Sequence, residues 1–409
     1  MPSFLRWLQP GLYLKRWVLL FLLSILVFST GLAQFINLVV SVDKHPNRLV
    51  YGIAALVVGI TLFAVALRNV PATWFTALNS PRSLGEWVTQ QHLKQGIRVV
   101  AIGGGTGLPS ALRAMKRQTS NITAVVAMAD DGGSSGRLRR DLGVPPPGDL
   151  RSNIVALARD EDLMTQLFNF RFESGELDGH SFGNLFLAAL MGMQGGIDEA
   201  ALVAGKILAI QGHVLPCTLA NVHLVAHIRH PQTGETQTIE GESNIPQLGW
   251  QIERLFVEPS DAPAFPGVIK AIQEAELIII GPGSLYTSIL ANLLLHDITQ
   301  ALRLSRATKV YVCNIATQPG ETDGYSLADH VLAIEHHVGR GVFDLVIGNN
   351  CYPTENAGLN TVYVQPAPPN HNIHQRYRVI YADLTDDQYP WRHSPDKLHA
   401  VLTDIIQRK

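Results

Sequence analysis

Two adjacent carboxylates, Asp130 and Asp131, close an apolar run (residues 122–129, ITAVVAMA) and lead into Gly132, Gly133, Ser134, Ser135 and Gly136. At the carboxyl end of a strand, one such side chain can accept hydrogen bonds from a ribose or base while the other holds a divalent cation. The same pair also suits an Asx turn that starts the loop. Ser134 and Ser135, with Arg137, Arg139 and Arg140 close by, suit an anion-binding nest. A second group lies upstream, where residues 97–102 (IRVVAI) run into Gly103, Gly104, Gly105, Thr106 and Gly107 and then into a helix-like stretch, residues 109–117. A nucleotide phosphate belongs at such a strand–loop–helix junction, because glycine permits positive φ and bare amides face the anion at the helix start. A turn that only tightens packing is the plainer alternative. No GK[ST] follows, so this is not a Walker loop. Leu108 occupies the position where a dinucleotide fingerprint needs its third glycine, which disfavours an NAD-dependent oxidoreductase.

The arrangement recurs in the second half. Residues 277–280 lead into Gly281, Pro282, Gly283 and Ser284, then a helix expected over 285–295, with Ser284 either facing the ligand or capping that helix. Two such loops on one sheet favour a shared crevice. Asn314 ends another expected strand and opens a polar segment that includes Thr317 and Gln318, suited to a sugar, phosphate or metal, or to capping the next helix. His180 and Asn184, in HSFGNL, either line a pocket or cap the helix expected over 183–193. His223, His227 and His230 lie in a strand-like run with no nearby Glu or Cys, which speaks against zinc. The three cysteines, Cys217, Cys313 and Cys351, are too far apart in sequence for a zinc ribbon and suggest a reducing compartment.

The elements that must carry these residues alternate as continuous apolar strands and helices, which predicts a mostly parallel sheet covered on both faces. Three shorter strands, over 222–228, 237–240 and 251–257, predict a small antiparallel insertion. A helix capped by Asp149 over 150–158, an edge strand near 377–381 and a terminal helix over 395–407 complete the expectation.

Composition sets the rest of the frame. With 409 residues, 46% hydrophobic and 16% charged, and a mean hydropathy of +0.13, the chain is apolar for a soluble enzyme. Two uncharged runs, Trp17–Val40 and Leu49–Leu67, account for this; they give spans of about 17–40 and 49–69, joined by a short polar turn and each long enough to cross a hydrocarbon core of about 30 Å. Basic residues outside the hairpin place both ends, and the α/β domain, in the cytoplasm of a multi-pass cell-membrane protein. The resulting organisation is a transmembrane hairpin over 1–70, an interfacial linker over 71–95 with Trp74, Phe75 and Trp87, a nucleotide-binding domain over 96–365, and a C-terminal extension over 366–409 packed on it. A net charge of −2 gives no electrostatic basis for a nucleic-acid partner.

Five strings, GGGTGLPSALRAMK, AVVAMADDGGSSGRLRRDLGVPPPGDLRSNIVALA, GHSFGNLFLAA, IIIGPGSLYTSILANLL and VYVCNIATQPGETDGYSLADHV, together resemble the YvcK/CofD superfamily, and most closely its YvcK branch of gluconeogenesis factors. The resemblance covers about residues 97–350 in order. It implies a Rossmann-like three-layer αβα fold and binding of a nucleotide sugar such as UDP-N-acetylglucosamine, in a regulator of cell-wall precursor supply and cell shape. The CofD branch instead implies a 2-phospho-L-lactate transferase acting on a nucleotide-activated donor. Carried over, the ligand positions are Gly104, Gly105, Thr106, Gly107, Asp130, Asp131, His180, Asn184, Gly283, Ser284, Asn314, Thr317 and Gln318, to which the residues themselves add Ser134 and Ser135. No cofactor is fixed by the sequence; magnesium enters only with the transferase reading, held by Asp130 and Asp131. The expected partners are the nucleotide sugar or another phosphorylated nucleotide, the membrane, a cell-wall synthesis protein and further copies of the chain.

Overall fold

The computed structural model describes residues 14–40, 46–69, 91–354 and 362–408. The chain separates into two compact units, Met1–His92 and Leu93–Lys409. Up to residue 90, the expected interfacial linker, with its three aromatic residues, lies outside the described residues.

In the first unit two helices, α1 (Leu14–Val40) and α2 (Pro46–Asn69), pack as a hairpin. Their apolar windows, Leu19–Asn37 and Leu49–Arg68, have mean hydropathies of 2.2 and 2.5 and the length to cross a membrane. A Cβ at Gly31 would lie 2.8 Å from the Leu56 amide nitrogen and one at Gly59 2.9 Å from that of Phe28. Glycine at both positions is what lets the two backbones approach so closely.

The second unit is built on a seven-stranded, all-parallel sheet with the order β10-β9-β8-β7-β1-β2-β3. Its strands are β1 (Val99–Gly103), β2 (Ile122–Val126), β3 (His213–Pro216), β7 (Leu277–Ile280), β8 (Thr308–Val312), β9 (Leu345–Asn349) and β10 (Arg378–Ala382). The VVAIG, LIII and LVIGN segments are buried along their whole length, as strands sandwiched between helices must be. From β1 the chain builds outward through β2 to β3, then returns to place β7 on the other side of β1 and builds outward again to β10. The strand order therefore reverses between β1 and β7, where open α/β sheets leave a crevice at their carboxyl ends.

The flanking helices are α3 (Leu108–Met115), α4 (Gly133–Leu142), α5 (Gly148–Leu157), α6 (Glu161–Asn169), α7 (Phe182–Gln194), α8 (Ile197–Ile207), α9 (Pro266–Glu274), α10 (His296–Leu304), α11 (Leu327–Val338) and α12 (Pro395–Gln407). A separate antiparallel sheet, β5-β4-β6, is the expected insertion: β4 (His223–Arg229), β5 (Thr236–Glu240) and β6 (Gln251–Glu258). It is tied to α11 by the Leu255 amide, which donates to His337 Nε2 at 3.0 Å, and by Arg254, which donates to the His336 carbonyl at 3.0 Å.

Several local expectations change. The DGGSSG stretch, read as a loop and nest, instead starts α4 at Gly133, with Ser134 and Ser135 in its first turn and Gly143 ending it at φ 65°. The helix expected over 285–295 is a single wide turn, Leu285–Leu290, closed by an Ile289 amide bond to the Ser284 carbonyl five residues back; a short helical piece, Ala291–Leu293, then precedes α10. Asp149 does not cap α5, which Pro147 precedes without any side-chain cap. Its carboxylate turns away from the helix to the glycine loop.

Candidate functional site

Three loops at the carboxyl ends of neighbouring strands meet at the switch point: residues 104–107 after β1, 281–284 after β7 and 314–318 after β8. They enclose a cleft of about 430 Å³ lined by residues 105–107, 282–284 and 314–318, with Glu242, Thr287 and Ser288 at one flank and Trp391, Arg392 and His393 at another. The loops hold one another closely. A Cβ at Gly107 would lie 2.6 Å from the Pro282 carbonyl oxygen and 2.8 Å from Gly283 Cα, and Gly105 has φ +59°. Glycine is thus required at 107 by close approach and favoured at 105 by conformation. The Asn292 amide donates to the carbonyls of Gly103 (2.8 Å) and Ser288 (2.7 Å), fastening the end of β1 to the wide turn. Wide turns of this kind recur at functional sites.

On the β8 side, Asn314 Oδ1 accepts from the Gly283 amide at 3.1 Å and its Nδ2 donates to Gln318 at 3.3 Å. Thr317 is anchored through its amide to the Val362 carbonyl at 2.8 Å. The Ser284 hydroxyl accepts from the Thr287 amide at 3.3 Å as a cap, and it lines the cleft while donating to the half-buried Glu321, whose carboxyl desolvation pushes up. The buried His393 beneath this rim is pushed down to about 4 by burial, so at neutral pH it is an uncharged group next to the Cys313 carbonyl oxygen at 3.1 Å.

Carboxylates dominate the other end. Asp149 Oδ2 accepts the Gly105 amide at 2.7 Å, and a Cβ on Gly104 would lie 2.4 Å from the same oxygen. Burial, opposed by that hydrogen bond and reinforced by Asp130, pushes Asp149 up to about 6. Burial likewise raises Asp130, whose Oδ1 accepts the Gly132 amide at 2.9 Å in an Asx turn and which also bonds the Ser135 hydroxyl. Glu242 is raised well above the usual carboxyl range, first by burial and then by Asp130 and Asp149. Asp131 faces elsewhere: Oδ1 accepts the Ser243 amide at 2.9 Å, so it clamps the insertion loop that carries Glu242.

The sequence-derived residues therefore fall into three groups. Gly105, Thr106, Gly107, Gly283, Ser284, Asn314, Thr317 and Gln318 share the cleft, and Gly104 lies behind it against Asp149. Ser134, Ser135, His180 and Asn184 form a second cluster that does not line the cleft: Ser134 Oγ lies 3.1 Å from His180 Nδ1, and Asn184 Nδ2 donates to Ser135 at 3.4 Å. Burial, helped by the Arg137 guanidinium, holds His180 below the ordinary imidazole range. Asp130 joins the two groups through Ser135 on one side and the Asp149 segment on the other, where a Cβ at Gly148 would lie 2.9 Å from its Oδ2. Asp131 stands apart in the loop clamp. Glu242, Asp149, Thr287, Ser288, Trp391 and Arg392 were not singled out from sequence as ligand-facing. Glu242, Asp149, Trp391 and Arg392 come from segments with no strand–glycine loop pattern of their own, whereas Thr287 and Ser288 follow the second glycine loop.

The fit of a divalent cation rests on oxygen chemistry. Asn153 Oδ1 and Asn184 Oδ1 are buried without a hydrogen-bond partner among the described residues. Among the described residues, however, no three His, Cys, Asp or Glu side chains converge to hold a metal. His223, His227 and His230 are accounted for otherwise: His223 pairs with Glu258 at 3.3 Å, His227 packs on Phe256 and His230 on Trp250.

Residues 99–398 match the family described as 2-phospho-L-lactate transferase CofD. The chain is 46% identical over 317 residues to the gluconeogenesis factor of Bacillus subtilis, covering 76% of this chain and 98% of that one. It is 40% identical over a 426-residue alignment to a Nostoc protein provisionally given the same name, covering 97% of this chain and 91% of its relative. A crystal structure of a member of the UPF0052 family from Bacillus halodurans superposes with a TM-score of 0.70 at 39% identity, over 75% of this chain and 99% of that one.

Proposed function

Since this chain belongs to the CofD/YvcK family, we propose that it is a membrane-anchored gluconeogenesis factor that binds a nucleotide sugar of the UDP-N-acetylglucosamine kind and regulates cell-wall precursor supply and cell shape. The observation that carries this reading is the convergence of three strand-end loops on one cleft at the reversal of strand order. Backbone amides at the starts of α3 and of the 285–290 turn would meet the diphosphate. The carboxylate end would take the ribose or base, and residues 314–318 the sugar. Ser134, Ser135, His180 and Asn184 would support this arrangement by fixing Asp130. The two apolar helices would set the domain at the cytoplasmic face of the cell membrane, where wall precursors are consumed by a synthesis protein that it would contact.

The second reading, a 2-phospho-L-lactate transferase, is favoured by the crowding of Asp130, Asp149 and Glu242. These carboxylates have a use if magnesium neutralises a phosphoryl group in transit. Asp130 and Asp149 would then hold the ion, and Asp131 would not. Calorimetry of the full chain in nanodiscs against UDP-N-acetylglucosamine, GDP and NAD, with and without magnesium, separates the two. Selective binding of the UDP-sugar, recovered unchanged, is the expected result. Magnesium-dependent GDP binding with product release would favour the transferase, and NAD binding would contradict both.

A further inference from the structure

We propose that Glu242, delivered by the antiparallel insertion, is the residue that recognises the ribose cis-diol of the bound nucleotide, with Asp131 as its positioning residue; this rests on the nucleotide reading above. The role expected from sequence for Asp130 or Asp131 requires a carboxylate in the cleft. Neither side chain lines it, whereas Glu242 does. Asp130 is occupied by the Gly132 amide and Ser135, and Asp131 by the Ser243 amide.

The geometry of the loop explains why Glu242 points inward. Gly241 has φ +93°, a conformation that favours glycine, and a Cβ there would lie 2.4 Å from Asp131 Oδ2. Its amide donates to the Leu224 carbonyl at 2.8 Å, and the Asn244 side chain donates to the Glu240 carbonyl at 2.9 Å. With residues 241 and 243 both fixed against Asp131, beyond the end of β2, residue 242 is set in the cleft lining alongside Thr287 and next to the glycine loops. A carboxyl group presents a carbonyl oxygen that accepts, and two vicinal hydroxyls present two donors. A site built to bond a hydroxyl discriminates strongly against a ligand that lacks it, because its buried acceptor is then left unpaired. In open α/β sheets the ribose acceptor ordinarily stands at the end of the second strand. Here that place is taken by a residue from another sheet.

The test compares ribo- with 2′-deoxyribonucleotides on the full chain in nanodiscs, using UDP against dUDP and GDP against dGDP so that the base is not presupposed. The wild type should favour the ribo form by about tenfold, the scale of one hydrogen bond to a buried acceptor. In Glu242→Gln and Glu242→Ala the ratio should fall to near one, with the larger loss of affinity on the ribonucleotide. A wild-type ratio near one, or a variant that keeps the tenfold preference, overturns the inference and leaves the nucleotide reading standing. Wild-type protein that binds none of the four nucleotides overturns both. Unfolding midpoints measured alongside identify a misfolded variant, and the isosteric Glu242→Gln then decides.

Discussion

Where β1, β7 and β8 end, the cleft is lined by backbone amides and neutral side chains, each following its own strand within a few residues; toward β2 it is lined by one carboxyl group, Glu242, brought from the antiparallel insertion, with Asp149 behind the glycine loop and Asp131 holding the insertion loop. The first half is fixed by covalent geometry and close contact. The second is fixed by long-range hydrogen bonds and held against charge repulsion. Glycine loops leave no side chain to substitute, so the first half can bind phosphate with little power to choose among ligands. Under the proposed function, choice at the ribose would fall to the second half, where one side chain can be exchanged without rebuilding a strand end.

The comparison is broken most severely at Gly107. Gly107→Val would drive a side chain into Pro282 and Gly283, and diphosphate affinity should fall on the order of 100-fold or more, about 2.8 kcal/mol. Calorimetry with UDP reads this, and near-normal binding would remove the glycine loop from the site. Gly105→Val should act in the same direction and add a cost of about 1–2 kcal/mol in stability, because position 105 has φ +59°.

A second prediction concerns pH. Asp149 is raised from its ordinary 3.8 to about 6, so between those values the folded chain binds more protons than the unfolded one, and stability falls as pH rises through that window. Asp149→Asn lacks this loss while keeping an acceptor for the Gly105 amide. The unfolding midpoint of the variant relative to wild type should therefore climb from pH 4 to pH 7, by an amount on the order of 1–3 kcal/mol. A difference that stays flat with pH would show that Asp149 is not held in this desolvated setting.

How much of this was legible in the sequence follows the same division. Gly104 to Gly107, Gly283, Ser284 and Asn314 could be read because their signals are local: an apolar run, then the loop, within ten residues. The parallel sheet followed from the same rhythm, and the insertion from its three short strands. Glu242 could not be read. It lies in an ordinary turn, GESN, and what gives it meaning is a bond from Ser243 to Asp131, 112 positions away. Asp149 stands early in α5 and resembles a helix cap; its contact with Gly105 crosses 44 positions. Ser134 and Ser135 were visible as a cluster, but the glycines around them concealed that α4 had already begun.

Smaller effects should come from residues that act at a remove. Asp131→Asn should weaken the clamp on the 241–244 loop and reduce the ribo over deoxyribo preference by roughly threefold, leaving phosphate binding intact. Ser134→Ala removes only the contact with His180 and should change affinity less than about threefold. A larger loss there, measured by the same titration, would move the Ser134–His180 cluster into the ligand contact surface.

The most direct test of the central claim is a titration of UDP-N-acetylglucosamine into the full-length wild type and into Gly107→Val, side by side in nanodiscs. Saturable one-to-one binding by the wild type and its loss in the variant, with both proteins folded by their unfolding midpoints, is the predicted result. Equal binding by the two would contradict the assignment of the nucleotide to the cleft at the β1–β7 switch point.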